Sequence, residues 1–278
     1  MHAAPSSTSP TLASPRWHTP ALVKASVAVH VGAGALALAQ PALWSWALGA
    51  VALDHALITG IGLWPRSTWL GANLLRLPPA AITRREIALT IDDGPDPLIT
   101  PAVLDLLDAH HARATFFCIA RHAEAHAVLC REIVRRGHSV QNHSFDHAHT
   151  FSLLGPRAIR RELVRAQDAL AQVTGQRPRY FRAPAGLRNL FLAPVLHELD
   201  LQLVAWTRRG FDTVRRDPAD VLALLTRGLA AGDILLLHDH HSARAASGRP
   251  VTLDVLPTLL QRFEQMSLRA VTLPEALA

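Results

Sequence analysis

Four short polar clusters in this sequence carry residue types that could do hydrolytic chemistry. The first is Thr90-Ile91-Asp92-Asp93-Gly94-Pro95, two adjacent carboxylates beside a Gly-Pro turn. Neighbouring strand residues point to opposite faces, but a turn just after them can bring both carboxylates into one pocket. Carboxylates that close repel unless a cation shares the site, and a metal ion meets that need. The plainer reading is an Asx-type turn at a strand end. The second cluster is His143-Ser144-Phe145-Asp146-His147, whose two imidazoles can reach one metal from a helical turn or tight loop. With 16 His in 278 residues such a spacing also arises by chance. His122 and His126 repeat it and read as a solvated helix face, and His149 reads as an exposed neighbour. The third, Phe181-Arg182-Ala183-Pro184-Ala185-Gly186, sets a cation beside exposed backbone amides, or is an ordinary turn with a surface Arg. The fourth, Ile234-Leu235-Leu236-Leu237-His238-Asp239, ends an apolar run on an imidazole able to act as acid or base. Its bland alternative is a structural His held by Asp239.

These clusters need elements to hold them. Strand-like segments are expected at Ile87–Ile91, Ala114–Ile119, Ser139–Asn142, Tyr180–Arg182, Leu201–Trp206, Ile234–His238 and Leu268–Val271. Helical patterns lie between them. In 156–174 the apolar residues Ile159, Leu163, Ala166, Leu170 and Val173 recur every three or four positions, and Gly175 stops the helix. Gly137 likewise stops a helix expected over 123–136. Strand–helix alternation implies a parallel sheet, open or closed into a barrel, with functional groups gathered where the strands end. Trp206 and Tyr180 fall in strands and read as buried; Phe145 and Phe151 are the aromatics expected at the rim of the site.

The segments before residue 86 differ in kind. Residues 1–20 are rich in Ser, Thr, Pro and Ala and read as a disordered tail. Residues 21–64 hold two apolar runs separated by Gln40-Pro41, each near the ~20 residues that cross a bilayer. They read as a transmembrane hairpin, with Asp54 and His55 facing the partner helix because lipid would penalise them. A soluble hairpin and a signal peptide are the competing readings. Trp64, Arg66 and Trp69 suggest an interfacial belt, and residues 65–85 a linker. Arg16 and Lys24 precede the hairpin and Arg66, Arg76, Arg84 and Arg85 follow it, which places both flanks, and the domain after them, on the cytoplasmic side. The net charge of +6 comes from dispersed arginines without a basic–aromatic tract, which argues against nucleic acid as a partner. Cys118 and Cys130 form no C-x-x-C motif, and Cys118 reads as a small buried hydrophobe.

Taken in order, the T-x-D-D-G, H-S-x-x-H, R-x-P-x-G and L-x-H elements, with an Asp after the strand that follows the third, resemble the polysaccharide deacetylase family over about residues 86–275. The resemblance implies an α/β fold, a distorted (β/α) barrel of about seven parallel strands, here preceded by two hydrophobic helices. It makes residues 86–278 the catalytic domain. It implies a hydrolase that removes an N-acyl group, usually acetyl, from a sugar or glycan. By the same carry-over Asp93, His143 and His147 hold a divalent metal: zinc, with cobalt, nickel or manganese as alternatives. Asp92 is then the general base, oriented by Arg182, and Asp212 pairs with Arg182. His238 is the general acid, Leu236 lines the acyl pocket and the Ala185 N–H faces the oxyanion. The chain departs from the family where Ala185 and Thr213 stand at positions that often carry aromatics. Scarce aromatics and the hairpin favour a short or lipid-linked N-acyl sugar over a long polymer. Two other readings keep the same residues: an amidase or deformylase on a lipid-linked sugar or a non-sugar amide, and an inactive membrane-anchored binding protein.

Overall fold

The computed structural model describes residues 17–278, so the tail expected over 1–20 lies almost wholly outside the described residues. Helices α1 (Ala21–Ala39) and α2 (Trp44–Gly62) form an antiparallel pair joined by a short turn at Pro41–Leu43. With mean hydropathy of 1.7 and 1.2 over 19 and 22 residues, both segments are long and apolar enough to cross a membrane, and their surfaces are largely uncovered. Ser26, His30, Asp54 and His55 meet between the two helices. Ser26 donates to Asp54 Oδ2 at 2.6 Å, and His30 Nδ1 lies 2.8 Å from the Ser26 carbonyl. A carbonyl only accepts, so His30 carries its proton on Nδ1, and its Nε2 accepts from His55 Nε2 at 3.0 Å. This clasp fixes the register of two helices that apolar contact alone would leave free to slide. It is the inward pairing that the positions of Asp54 and His55 called for.

The barrel begins with α3 (Pro79–Thr83) and β1 (Glu86–Asp92), followed by α4 (Thr100–Ala109), β2 (Ala114–Cys118), α5 (Ala120–Ala125), α6 (Ala127–Arg135) and β3 (Ser139–Asn142). Then come α7 (Pro156–Thr174), β4 (Tyr180–Phe181), α8 (Leu192–Glu198), β5 (Gln202–Leu203), β6 (Arg208–Arg209), α9 (Pro218–Thr226), β7 (Ile234–His238), α10 (Val251–Gln265), β8 (Arg269–Ala270) and α11 (Leu273–Ala276). Seven strands stand side by side in the order β5-β4-β3-β2-β1-β7-β6, and β8 pairs with the start of β1. Every pairing is parallel, so all seven strands end on one rim. Central β1 is buried along its whole length, which suits its run of apolar residues on both faces. The helix expected over 123–136 is two helices that break at His126, whereas 156–174 is one helix closed by Gly175 at φ 73°.

The sheet curls without closing: among the described residues no ladder joins β5 to β6. Residues 65–85, expected as a linker, fill that opening. Leu74 pairs in parallel with Val204, donating to Leu203 O and accepting from Ala205 N, both at 2.9 Å. Leu70, Leu77 and Ala81 are buried beneath it. An open strand edge invites unwanted pairing, and this segment covers it.

The foot of α2 meets the barrel at the segment after β4. Arg188 N–H donates to Gly62 O at 3.1 Å, and a Cβ on Gly62 would collide with the Arg188 carbonyl. A Cβ on Gly186 would sit 2.7 Å from Pro65 and 2.6 Å from Trp206. Close backbone approach therefore requires glycine at both positions. Gly62→Ala should destabilise this junction by ~1–3 kcal/mol and speed proteolysis near residues 184–188. Gly60→Ala, with open space at its Cβ, should do neither. Thermal unfolding and limited proteolysis of the two variants check this.

Candidate metal centre and acid–base site

Asp92 is the last residue of β1, and its neighbour Asp93 takes φ 77°, which breaks the strand's alternation. Both carboxylates then line one cavity of about 210 Å³ with His143, His147, Ala185, Leu236 and His238. Gly94 permits the turn to pass Asp239, whose carboxylate a Cβ there would strike. Ser144, His147 and Ala185 also hold positive φ. Such conformations are costly for residues with a Cβ and persist where surrounding contacts over-determine them.

The three expected metal ligands converge. One donor atom each from Asp93, His143 and His147 lies within 4.8 Å of the others. Asp93 Oδ1 sits 3.3 Å from both His143 Nε2 and His147 Nε2, is buried, and has no hydrogen-bond partner. His143 Nδ1 donates to the Arg182 carbonyl at 2.8 Å, so its Nε2 presents a lone pair. Burial, with a smaller push from His143, lowers the His147 pKa to about 3 and keeps that ring neutral. Burial would raise the Asp93 carboxyl, but His143 and His241 outweigh it and hold it far below the usual range. An orphaned buried carboxylate oxygen between two imidazole nitrogens suits a divalent cation, with positions left open for water and substrate.

Two buried pairs flank this cluster. Arg182 Nη1 donates to Asp92 Oδ1 and to Thr90 Oγ1, both at 2.7 Å, and Nη2 to Ala205 O at 2.8 Å. The guanidinium carbon lies 4.2 Å from the centre of the Phe117 ring. Asp212 accepts from His238 Nδ1 at 3.0 Å, from His238 N at 2.7 Å and from Thr252 Oγ1 at 2.9 Å. Burial would lower the His238 pKa, but Asp212 reverses that and lifts it to about 9, so the ring is cationic at neutral pH. The expected Asp212–Arg182 pairing is therefore corrected: Asp212 serves His238, while Arg182 bonds Asp92 and the Val204 and Ala205 carbonyls. Arg182 and Asp212 stand behind the cavity wall, and the seven other expected residues line it. The N–H of Ala185 makes no hydrogen bond to a described residue.

Some placements differ from expectation. His122 is half-buried against the site, its Nδ1 3.0 Å from the Asp93 carbonyl and its ring 4.5 Å from that of His240. His149 lines the cavity. Phe145 and Phe151 are buried in the core, whereas Trp206 reaches the cavity. Two participants escaped sequence reasoning. His241 Nδ1 contacts Asp93 Oδ2 at 2.7 Å, and Arg209 lines the wall beside Leu236. The run His238-Asp239-His240-His241 was the available signal for the first. Arg209 offered none, because it lies in a two-residue strand.

A carboxylate and a cationic imidazole beside an Asp-His-His cluster, at the rim of curled parallel strands, is an arrangement of metal-assisted hydrolases. The profile of the polysaccharide deacetylase family matches residues 81–204. The peptidoglycan-N-acetylglucosamine deacetylase PgdA of Listeria monocytogenes is 32% identical over 71% of this chain and 40% of that protein, so the chain spans well under half of that relative's length. A chitooligosaccharide deacetylase of Bradyrhizobium is 30% identical over 69% of this chain and 90% of the relative. A family 4 carbohydrate esterase from Streptomyces lividans, solved with acetate, superposes with a TM-score of 0.60 at 30% identity, covering 66% of this chain and 91% of the other. The chain belongs to the polysaccharide deacetylase family.

Protein purified without chelator should carry about one equivalent of divalent metal per chain. Asp93→Ala and His147→Ala should lose it, and His122→Ala should keep it. Elemental analysis of the three variants is the check.

Proposed function

We propose that this chain is a metal-dependent hydrolase that removes the N-acetyl group from an N-acetylated amino sugar, with zinc as its metal. The observation that carries the reading is the meeting, in one cavity beside the Asp93-His143-His147 cluster, of Asp92 held by Arg182 and His238 held by Asp212. A cation held there supplies an acidified water and polarises the amide carbonyl. Arg182 keeps Asp92 Oδ1 occupied, so Oδ2, 3.9 Å from His143 Nε2, is the oxygen free to take the water's proton. His238 is bonded to Asp212 through Nδ1, leaving Nε2 to protonate the departing amine, a poor leaving group otherwise. The Ala185 N–H, which makes no hydrogen bond to a described residue, would receive the negative oxygen. The relatives' names, peptidoglycan-N-acetylglucosamine and chitooligosaccharide deacetylases, support N-acetylglucosamine as the sugar. The convergence of these residues in one cavity supports catalysis over a purely binding role.

The substrate reading is a short or lipid-linked sugar worked on at a membrane. The two apolar helices support an anchor, and the contact of Gly62 and Pro65 with the segment 184–188 sets the site at the anchor's foot. The basic flanks favour the cytoplasmic side.

With acetate release as the readout, Asp92→Asn should retain metal and lose ~10²–10⁴ in rate. His238 is protonated below about pH 9 and deprotonated above it, so activity should fall as pH rises through that region. A bound dication would move this limb lower. His238→Ala should abolish the limb along with most of the rate. Unchanged kinetics in both variants would remove the mechanism. For the anchor, alkaline carbonate washing should leave the full chain in the membrane pellet; release into the supernatant would count against a spanning hairpin.

A further inference from the structure

Among the described residues, Arg209 in the cavity wall has no ion-pair partner. Arg209 faces Leu236 across the β6–β7 ladder, and both line the cavity. Its guanidinium carbon lies 5.4 Å from the Trp206 ring centre and 5.0 Å from that of Phe211, so two aromatic rings hold it in place. Its Nε is buried and lacks a hydrogen-bond partner, and none of its side-chain N–H groups donates to a described residue. Residues 1–16, which lie outside that set, include no Asp or Glu.

The charges of the acid–base pairs and of the adjacent arginine are matched. Arg182 is paired with Asp92, and His238 with Asp212. The adjacent Arg208 is paired with Asp233. Asp93 faces its histidines and the proposed metal. Holding a guanidinium half-buried with its donors unmet costs free energy unless something in the working state accepts from it. A planar fork of donors fits a phosphate or carboxylate, which can take two parallel hydrogen bonds.

We propose that Arg209 forms an anion subsite beside the acyl pocket, and that the substrate carries a phosphate or carboxylate group close to its N-acyl group. This rests on the hydrolase reading above and narrows it to anionic sugars. A phosphate would come from a sugar 1-phosphate or its lipid-linked ester. A carboxylate would come from an acidic sugar. The shared chemistry is a group with two acceptor oxygens within one sugar unit of the scissile amide.

The test uses the full, metal-loaded chain in detergent. Acetate release is compared for N-acetylglucosamine, N-acetylglucosamine 1-phosphate and N-acetylmuramic acid. Binding of the deacetylated products glucosamine and glucosamine 1-phosphate is measured separately by calorimetry. One anionic substrate should exceed the neutral one in kcat/KM by ~10- to 100-fold, and the arm that does so identifies the source of the charge. In Arg209→Gln that ratio should collapse towards one, and in Arg209→Lys it should fall part-way, since the ammonium keeps the charge without the fork. Raising ionic strength should shrink the wild-type ratio, a readout that needs no variant to fold. A wild-type ratio near one, or a ratio and phosphate-dependent binding unchanged in Arg209→Gln, would overturn the subsite. Phosphate-dependent binding that is lost in Arg209→Gln, with no acetate released from any substrate, would instead support the subsite and sink the deacetylase reading.

Discussion

A guanidinium buried to 1% exposure organises the barrel's rim. Arg182 reaches from the end of β4 across the inside of the curl to Asp92 and Thr90 on β1, and to the carbonyls of Val204 and Ala205 beyond β5. Its own carbonyl fixes the ring of His143 after β3. A charge this deep is tolerable only when every donor is met and an opposite charge lies adjacent. Burial pulls the Arg182 pKa down, and Asp92 opposes that pull. Asp92 therefore cannot wander: the same contact that neutralises the arginine sets the direction of the carboxylate. The direction of the Asp92 carboxylate follows from this side chain, and the orientation of the His143 ring from the same residue's backbone carbonyl.

The second buried pair obeys the same logic with the charges exchanged. Asp212 lies on the segment between β6 and α9, and it accepts from the backbone and ring of His238 and from Thr252 at the start of α10. Three donors on one carboxylate leave it little freedom, and its charge keeps the imidazole protonated despite burial. Two carboxylates in similar depth thus take different roles, because one faces an arginine and the other a histidine.

Much of this was legible in the sequence. The strands Ser139–Asn142 and Ile234–His238 and the helix Pro156–Thr174 have the expected bounds, since an apolar run or a 3.6-residue period closed by glycine is a local signal. The polar clusters at strand ends also stood out, because carboxylates and imidazoles directly after apolar runs have few structural uses. What failed was long-range. Nothing local marks Arg208–Arg209 as a strand, whose pairing depends on β7. Phe145 is drawn inward by the core, its ring centre 3.4 Å from the Arg165 guanidinium carbon, though its place between His143 and His147 suggested the rim. Residues 65–85 read as a linker because their Pro and Arg content hides the gap they fill, which exists only once the sheet has curled. Asp212 was foreseen, but its partner was not, since the choice between Arg182 and His238 is made by the path of the chain after β6.

The glycine contacts at the foot of the hairpin bear on how this chain can be cut and recombined. Gly62, Pro65 and Ser67 touch Arg188 and Gly186, and Leu74 closes the β5 edge a few residues on. The hydrophobic helices and the catalytic barrel are not separable cassettes. A soluble version that starts at β1 would lack both the prop beneath the Ala185 segment and the cover over its open seam. Exchange of the helices for a foreign anchor would have to preserve the native chain from Gly62 onward, in register, and the loops on that side of the barrel would tolerate insertions poorly.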